Sequence, residues 1–343
     1  MPRLLDTEFP IIQAPMAGVQ GSVLAAAVCN AGGLGSLPCA LLGASGLREE
    51  LRALRAATDR PFNVNFFCHI PPQPDSGREA RWRAALAPYY QELGLDVTAI
   101  PTGPGREPFG AEALEILEEA RPAVVSFHFG LPARRLLDAV RAIGSTIVAS
   151  ATTVAEAQWL EARGADAVIA QGVEAGGHRG MFLTEDLTSQ VGTLPLVRQV
   201  VGAVGVPVIA AGGIADARGV TAALAMGAAA VQVGTAYLLC DEAVTSQVHR
   251  AALTGPAARH TALTNVFTGR PARSIVNRAI RELGPISAAA PDFPLAATAI
   301  TPLRAEAERR GSGDFSPLWS GQDVTGCAEI PAAEQTRRLA AGL

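Results

Sequence analysis

Along this chain, alanine-rich stretches with helical spacing alternate with short, uninterrupted apolar runs, and a glycine usually stands between the two. Three copies of this helix–glycine–strand unit are plain: LAAAVCNAGGLGSL (24–37), WLEARGADAVIAQG (159–172) and ALAMGAAAVQVGT (223–235). In each, glycine falls where a helix would end and an apolar run follows that reads as a strand buried on both faces. Further strand candidates are 11–14, 61–67, 123–127, 146–150 and 207–211, and with the three strands of the repeated units they make eight. Repeated βα units imply a parallel sheet, and eight strands suit closure, so the predicted fold is α/β, a (β/α)8 TIM barrel. A doubly wound sheet competes, but no G-x-G-x-x-G follows the first strand with an acidic residue downstream. The stretch GPGREPFG (103–110) has no strand before it and reads as a turn-rich loop.

After the eighth strand the periodicity breaks. Residues 1–240 are expected to form the barrel, 241–294 a small accessory or lid region, and 295–343 a C-terminal helix and a tail that packs on the barrel. The segment SGDFSPLWSG (312–321) holds too many turn residues for a helix and is expected to lie across the barrel. Within TNVFTGRPARSIVNR (264–278), three arginines face either an anionic substrate or a solvated surface between regions.

The chain of 343 residues is 49% hydrophobic and 17% charged, with a net charge of −4, so it can bury a large core and offers no basic footprint for nucleic acid. Its five cysteines are odd in number and never spaced C-x-x-C, which argues against a disulfide framework or a zinc knuckle and fits a reducing, cytoplasmic setting. No metal site is expected. The N-terminus lacks the cationic, apolar and small-residue succession of a secretory signal. Residues 220–240 carry no charge over a length that could span a bilayer, yet Gly227, Gln232 and Thr235 punctuate them as a helix, a stop and a buried strand, so no membrane insertion is expected. All 28 basic residues other than histidine are arginine. Without lysine there is no pyridoxal-phosphate enzyme, Schiff-base aldolase or Walker-type phosphate loop.

The richest chemistry lies in QGVEAGGHRG (171–180), which follows an apolar run. Gly172, Gly176, Gly177 and Gly180 can adopt angles closed to other residues, so their N–H groups can form an anion nest. His178 beside it is either an acid/base group or a loop histidine that only bonds backbone. A second glycine segment, VPVIAAGGI (206–214), precedes AVQVGTAYL (230–238), and the pair resembles the phosphate site at the last two strands of a barrel. Taken alone, Gly212 and Gly213 also suit a tight βα turn.

The motifs APMAGV (14–19), NAGGLGSL (30–37), FNVNFFCH (62–69), VSFHFGLP (125–132), QGVEAGGHRG and GDFSPLWSGQ (313–322) together resemble nitronate monooxygenase, formerly 2-nitropropane dioxygenase, of the larger bacterial and fungal class. The resemblance runs from about residue 10 to 322. It implies non-covalent FMN, with the ring over the strand ends and the phosphate at the last two βα loops. It carries flavin contacts onto Asn65, Gln171, Gly176, Gly213, Gln232, Val233, Gly234 and Thr235, and places the first loop near the flavin through Ala14 and Met16. Met16 is otherwise a core residue. His178 matches the family's catalytic histidine, which takes the proton α to the nitro group of a neutral nitroalkane, and orients an already anionic nitronate. His128 ends a predicted strand and is either a second pocket histidine or an ordinary core one; His69 stands likewise. His249 and His260 receive no role.

The implied reaction converts an alkyl nitronate and O2 to a carbonyl compound and nitrite, in one-electron steps. Propionate 3-nitronate, whose carboxylate arginines would suit, is the implied natural substrate, and detoxification the implied role. An FMN-dependent NAD(P)H reductase of quinones or enoyl thioesters is the competing enzyme, since such barrels share the glycine loops; a flavin-binding protein without turnover is a third reading. Oligomeric state is not legible.

Overall fold

The computed structural model describes residues 5–73, 75–100 and 106–343; positions 103–105 of the turn-rich loop lie outside them. Strands in chain order are β1 (Ile11–Gln13), β2 (Ser36–Pro38), β3 (Asn63–Phe67), β4 (Val124–His128), β5 (Thr146–Ala151), β6 (Ala167–Gln171), β7 (Gly177–His178), β8 (Val208–Ala211), β9 (Ala230–Val233), β10 (Thr261–Thr264) and β11 (Ala272–Ile275). Helices are α1 (Ser22–Asn30), α2 (Ala44–Ala57), α3 (Ser76–Leu93), α4 (Ala111–Ala120), α5 (Arg134–Ala142), α6 (Val154–Ala162), α7 (Thr193–Val201), α8 (Ala217–Ala225), α9 (Gln247–Thr254), α10 (Arg278–Leu283), α11 (Ala296–Arg309) and α12 (Ala332–Ala340). Among these none is long and apolar enough to cross a membrane.

Eight parallel strands run in the order β1-β9-β8-β6-β5-β4-β3-β2. Leu34, just before β2, donates its N–H to Ile11 at 2.8 Å and accepts from Gln13 at 2.9 Å, which brings the first strand beside the second and makes the sheet a TIM barrel. The expected strands are all present. Gly32, Gly164 and Gly227, the predicted helix stops, take φ of +95°, +92° and +101°, angles that a side chain would strain.

Strand alternation sorts the side chains into two layers. Ile12, Leu34, Val124, Val148, Ile169 and Ile209 fill the barrel. Their neighbours in sequence, among them Ile11, Val125, Ile147, Val168 and Val231, face the helices. The inward rows end in polar groups at the C-terminal rim: Asn65, His128, Gln171 and Gln232 stand two residues on from inward positions. That is why the site forms there.

A second core joins segments far apart in sequence. Trp82, Leu86 and Tyr90 of α3 pack with Val266, Phe267, Ile280, Ile300, Leu303 and Phe315. Trp82 Nε1 donates to the Ala296 carbonyl at 3.1 Å and Tyr90 Oη to Ala299 at 2.6 Å. This unit therefore draws on the excursion between β3 and β4 as well as on residues beyond 241. The C-terminal α12 packs instead on α1 and α8 as the last helix of the barrel wall.

No strand is expected in 264–278 from the sequence, yet β11 lies there between β10 and β7, all antiparallel. β10 and β11 form a short hairpin around the turn at Gly269, while β11 pairs with β7 across more than 90 residues, and runs of four residues or fewer are too short for a local period to mark them. Of the three arginines in this segment, Arg278 ion-pairs with Glu92 at 2.6 Å and Glu282 at 3.0 Å on the outer surface. Arg273 is buried and donates to the Val173 carbonyl at 2.8 Å. Only Arg270 approaches the histidines described below, with its guanidinium 4.1 Å above the Phe129 ring.

Candidate active site

A cavity of about 180 Å³ opens at the C-terminal ends of the barrel strands. It brings together Ala14, Met16, Asn65, His128, Gln171, Gly176, Gly177, His178, Gly213, Gln232, Gly234 and Thr235. Val233 is set apart: its side chain joins the outer core, and only its carbonyl turns to the first loop, accepting from the Ala14 N–H at 2.8 Å. That follows from alternation, since Gln232 takes the inward position. His69 also stays outside the cavity lining, its Nε2 donating to the Arg106 carbonyl at 3.0 Å.

One end of the cavity is backbone. Gly213 has φ +66°, and Gly234 lies so close to the first loop that a Cβ on it would sit 3.4 Å from Ala14 Cβ and 3.6 Å from Met16 Sδ. Neither amide donates to another backbone group among the described residues, and Thr235 begins a short 3₁₀ turn whose first N–H has no partner within the turn. This is the donor set a phosphate needs. The tail crosses above it as expected: Gly321 N–H donates to Thr235 Oγ1 at 2.9 Å and Gln322 N–H to the Glu174 carbonyl at 3.0 Å. Gly176 permits that crossing, because a Cβ there would lie 2.5 Å from Gly321 N.

The middle of the cavity is amide-lined. Asn65 Nδ2 is used by Ser126, at 2.9 Å to Oγ and 3.2 Å to the carbonyl, so its Oδ1 is the free acceptor. Gln171 lines the cavity while one bond from each end of its amide goes to the loop: Nε2 donates to the His178 carbonyl at 3.0 Å and Oε1 accepts from Gly180 N–H at 2.7 Å. Its side chain shapes the His178 loop.

The other end is aromatic and histidine-lined. His178 rests against Phe67, Phe129, Phe293 and Trp319, with ring centroids 5.4–6.0 Å away. Its Nε2 is 2.9 Å from Thr268 Oγ1. Burial, then the charges of Arg106 and Arg270 and the neighbouring histidines, hold its pKa well below the ordinary value of 6.5. His128 Nε2 lies 3.2 Å from the His178 carbonyl, and a carbonyl only accepts, so that nitrogen carries the proton. Burial and Arg270 and Arg179 push its pKa down to about 4. Both rings are therefore neutral at neutral pH, as a general base requires.

Four residues here had no place in the sequence reading of the site. Arg106, Trp319 and His249 line the cavity, and Thr268 meets His178. Trp319 sat within a quoted motif, but the others reach the site only through the second unit. A fifth lies beneath the loop. Arg179 is fully buried, donating from Nη1 to the Gly172 carbonyl at 2.7 Å, from Nη2 to the Gln171 carbonyl at 2.6 Å and from Nε to Gln190 Oε1 at 2.9 Å. Its acceptors are neutral, and burial lowers its pKa to about 9. It ties the end of β6 to the loop that carries His178.

Comparisons with known proteins agree with this geometry. Residues 1–339 match the family described as nitronate monooxygenase. A protein of Pseudomonas aeruginosa named nitronate monooxygenase is 46% identical over 98% of this chain and 97% of its own length. One of Paraburkholderia phytofirmans with the same name is 44% identical, over 98% and 92%. Among solved structures, a nitroalkane oxidase from Streptomyces ansochromogenes aligns with TM-score 0.90 at 44% identity, over 98% and 95%. FabK from Thermotoga maritima aligns with TM-score 0.72 at 29% identity. With its whole length matched, a TIM barrel beneath it and the motif residues gathered around one cavity, the chain belongs to the nitronate monooxygenase family.

Proposed function

We propose that this protein oxidises alkyl nitronates with O2 to carbonyl compounds and nitrite, using non-covalent FMN, and that it serves to detoxify compounds such as propionate 3-nitronate. The observation that carries this reading is His178, a neutral base held by an aromatic wall at one end of a cavity whose other end is a backbone phosphate cradle. Bound FMN supplies the redox chemistry. The Gly213, Gly234 and Thr235 amides would hold its phosphate, Asn65 Oδ1 would offer an acceptor to the ring, and Ala14, Met16, Gly176, Gly177 and Gln232 would shape the slot, with Val233 contributing backbone.

On a neutral nitroalkane, His178 takes the proton from the carbon bearing the nitro group. On a nitronate, it orients the anion together with the Arg106 guanidinium, which has no ion pair among the described residues. His128 and Gln171 both donate to the His178 carbonyl and fix the loop, so His128 acts by positioning. The phenylalanines exclude water from the reacting carbon. Five unpaired cysteines support a reading of the protein as cytoplasmic, and the chain is read as a barrel with a second unit that roofs the substrate end.

The competing reading is the NAD(P)H-dependent reductase, which the likeness to FabK keeps in view. Anaerobic mixing separates them. Propionate 3-nitronate alone is expected to bleach the flavin, and in air to consume O2 and release nitrite without a nicotinamide. Rapid bleaching by NADH with none by nitronate would replace the monooxygenase reading with the reductase.

A further inference from the structure

A second cavity, of about 220 Å³, lies beside the first. His249 and Trp319 line both. His249 is 4% exposed on α9, and its Nε2 stands 3.1 Å from the Trp319 carbonyl. Since the carbonyl only accepts, Nε2 carries the proton and donates, which ties α9 to the tail at that residue. The indole is held from two other sides: edge-on by Phe267, at 5.5 Å and 84°, and by the His178 ring at 5.4 Å. Its backbone bridges Ser274 of β11, the strand that also pairs with His178 through Ala272. One strand thus sets both the base and the indole, and His249 locks the indole's peptide.

The outer cavity has an apolar wall that suits an alkyl chain, alongside a polar lining that includes Ser246, Thr268, Thr301 and Arg106. Ile300, Phe315, Leu318 and Phe267 line it, with Leu41 and Val244 at the solvent side, 50% and 68% exposed. Its Arg304–Glu308 pair is internally satisfied, because Arg304 Nε meets Glu308 at 2.8 Å and Ser316 Oγ donates to the same carboxylate at 2.6 Å, whereas Arg106, which lines both cavities, has no ion pair among the described residues.

We propose that His249 is a positioning residue that sets substrate length: with Trp319 it forms a partition between the chamber at His178 and an outer chamber with one apolar wall, and so confines turnover to short nitronates. This rests on the nitronate reading above. Chain length is selected where the partition stands, since a tail longer than the inner chamber has to displace the indole.

The test compares kcat/KM for ethyl nitronate and hexyl nitronate in wild type, His249→Ala and His249→Gln, with flavin content measured for each. His249→Ala is expected to hold flavin and to raise the hexyl-to-ethyl ratio about tenfold, the scale on which apolar pockets discriminate. Glutamine keeps bulk and an N–H donor, so its ratio is expected to stay within about threefold of wild type. An unchanged ratio in His249→Ala, or the same shift in His249→Gln, overturns the proposal. Should His249→Ala lose its flavin, Trp319→Phe shrinks the same partition and is expected to raise the ratio; no rise overturns it. A wild-type protein that turns over neither nitronate overturns the functional reading, and the partition with it.

Discussion

At the end of the cavity proposed to hold phosphate, Gly213, Gly234 and Thr235 come from two consecutive strand–loop units of one barrel. At the substrate end, His178 meets Thr268 from 90 residues away and Trp319 from farther still, on a small sheet built mostly outside the barrel. The first half needs only backbone in the right conformation, which glycine supplies locally. The second needs side chains fixed to one another across the fold, which only packing supplies. Damage to the two halves should differ in kind: affinity for the cofactor on one side, chemistry on the other.

The largest expected effect falls where the halves join. Arg179→Met keeps the bulk but strips donors from the Gln171 and Gly172 carbonyls and from Gln190. Leaving such buried acceptors unpaired costs about 3 kcal/mol. Denaturant unfolding is expected to show a loss of that order, along with weakened flavin binding and turnover together. A change within about 0.5 kcal/mol, the range of ordinary surface substitutions, would mean the loop holds without its arginine.

The next effect is confined to the substrate end. His178→Asn is expected to keep flavin and to lower turnover of neutral nitroalkanes roughly a hundredfold or more, the scale of general-base catalysis, with a smaller loss on nitronates. Equal, undiminished rates on both would make His178 structural. The pH profile sharpens this. A depressed pKa keeps the ring neutral as pH falls through 6.5, so the acid limb of kcat/KM on neutral nitroalkanes should lie well below that value and vanish in the variant. A limb at or above 6.5 would assign the base elsewhere.

The smallest effect belongs to the phosphate end. Gly213→Ala forces a side chain into φ +66° with its Cβ 3.2 Å from Glu174 Cβ, a strain of about 1 kcal/mol. Flavin affinity is expected to fall about fivefold to tenfold, the factor that such an energy represents, while kcat at saturating FMN stays unchanged. A fall in kcat at full occupancy would show that the two halves are not separable.

The barrel was legible because each of its units repeats a local code: helix period, glycine stop, apolar run. Gly213, Gly234 and Thr235 stood out for the same reason, while Asn65, Gln171 and Gln232 came only through the family's motifs, and strand alternation in the folded barrel is what brings them, with His128, to the rim. Val233 shows the limit of transfer by motif, since one step along a strand turns a side chain from the cavity to the outer core. What the tertiary structure alone decided is the neighbourhood of His178. Its depressed pKa comes from burial beside Arg106 and Arg270, and the Gln171 amide bonds the loop on both sides of it. Trp319 and His249 reach the site through β11 and the short helix α9, whose places beside the barrel are set by long-range packing. Local sequence fixes backbone geometry through sterics and alternation. Electrostatic environment and side-chain partnership depend on which distant segments pack together, and these are properties of the folded chain.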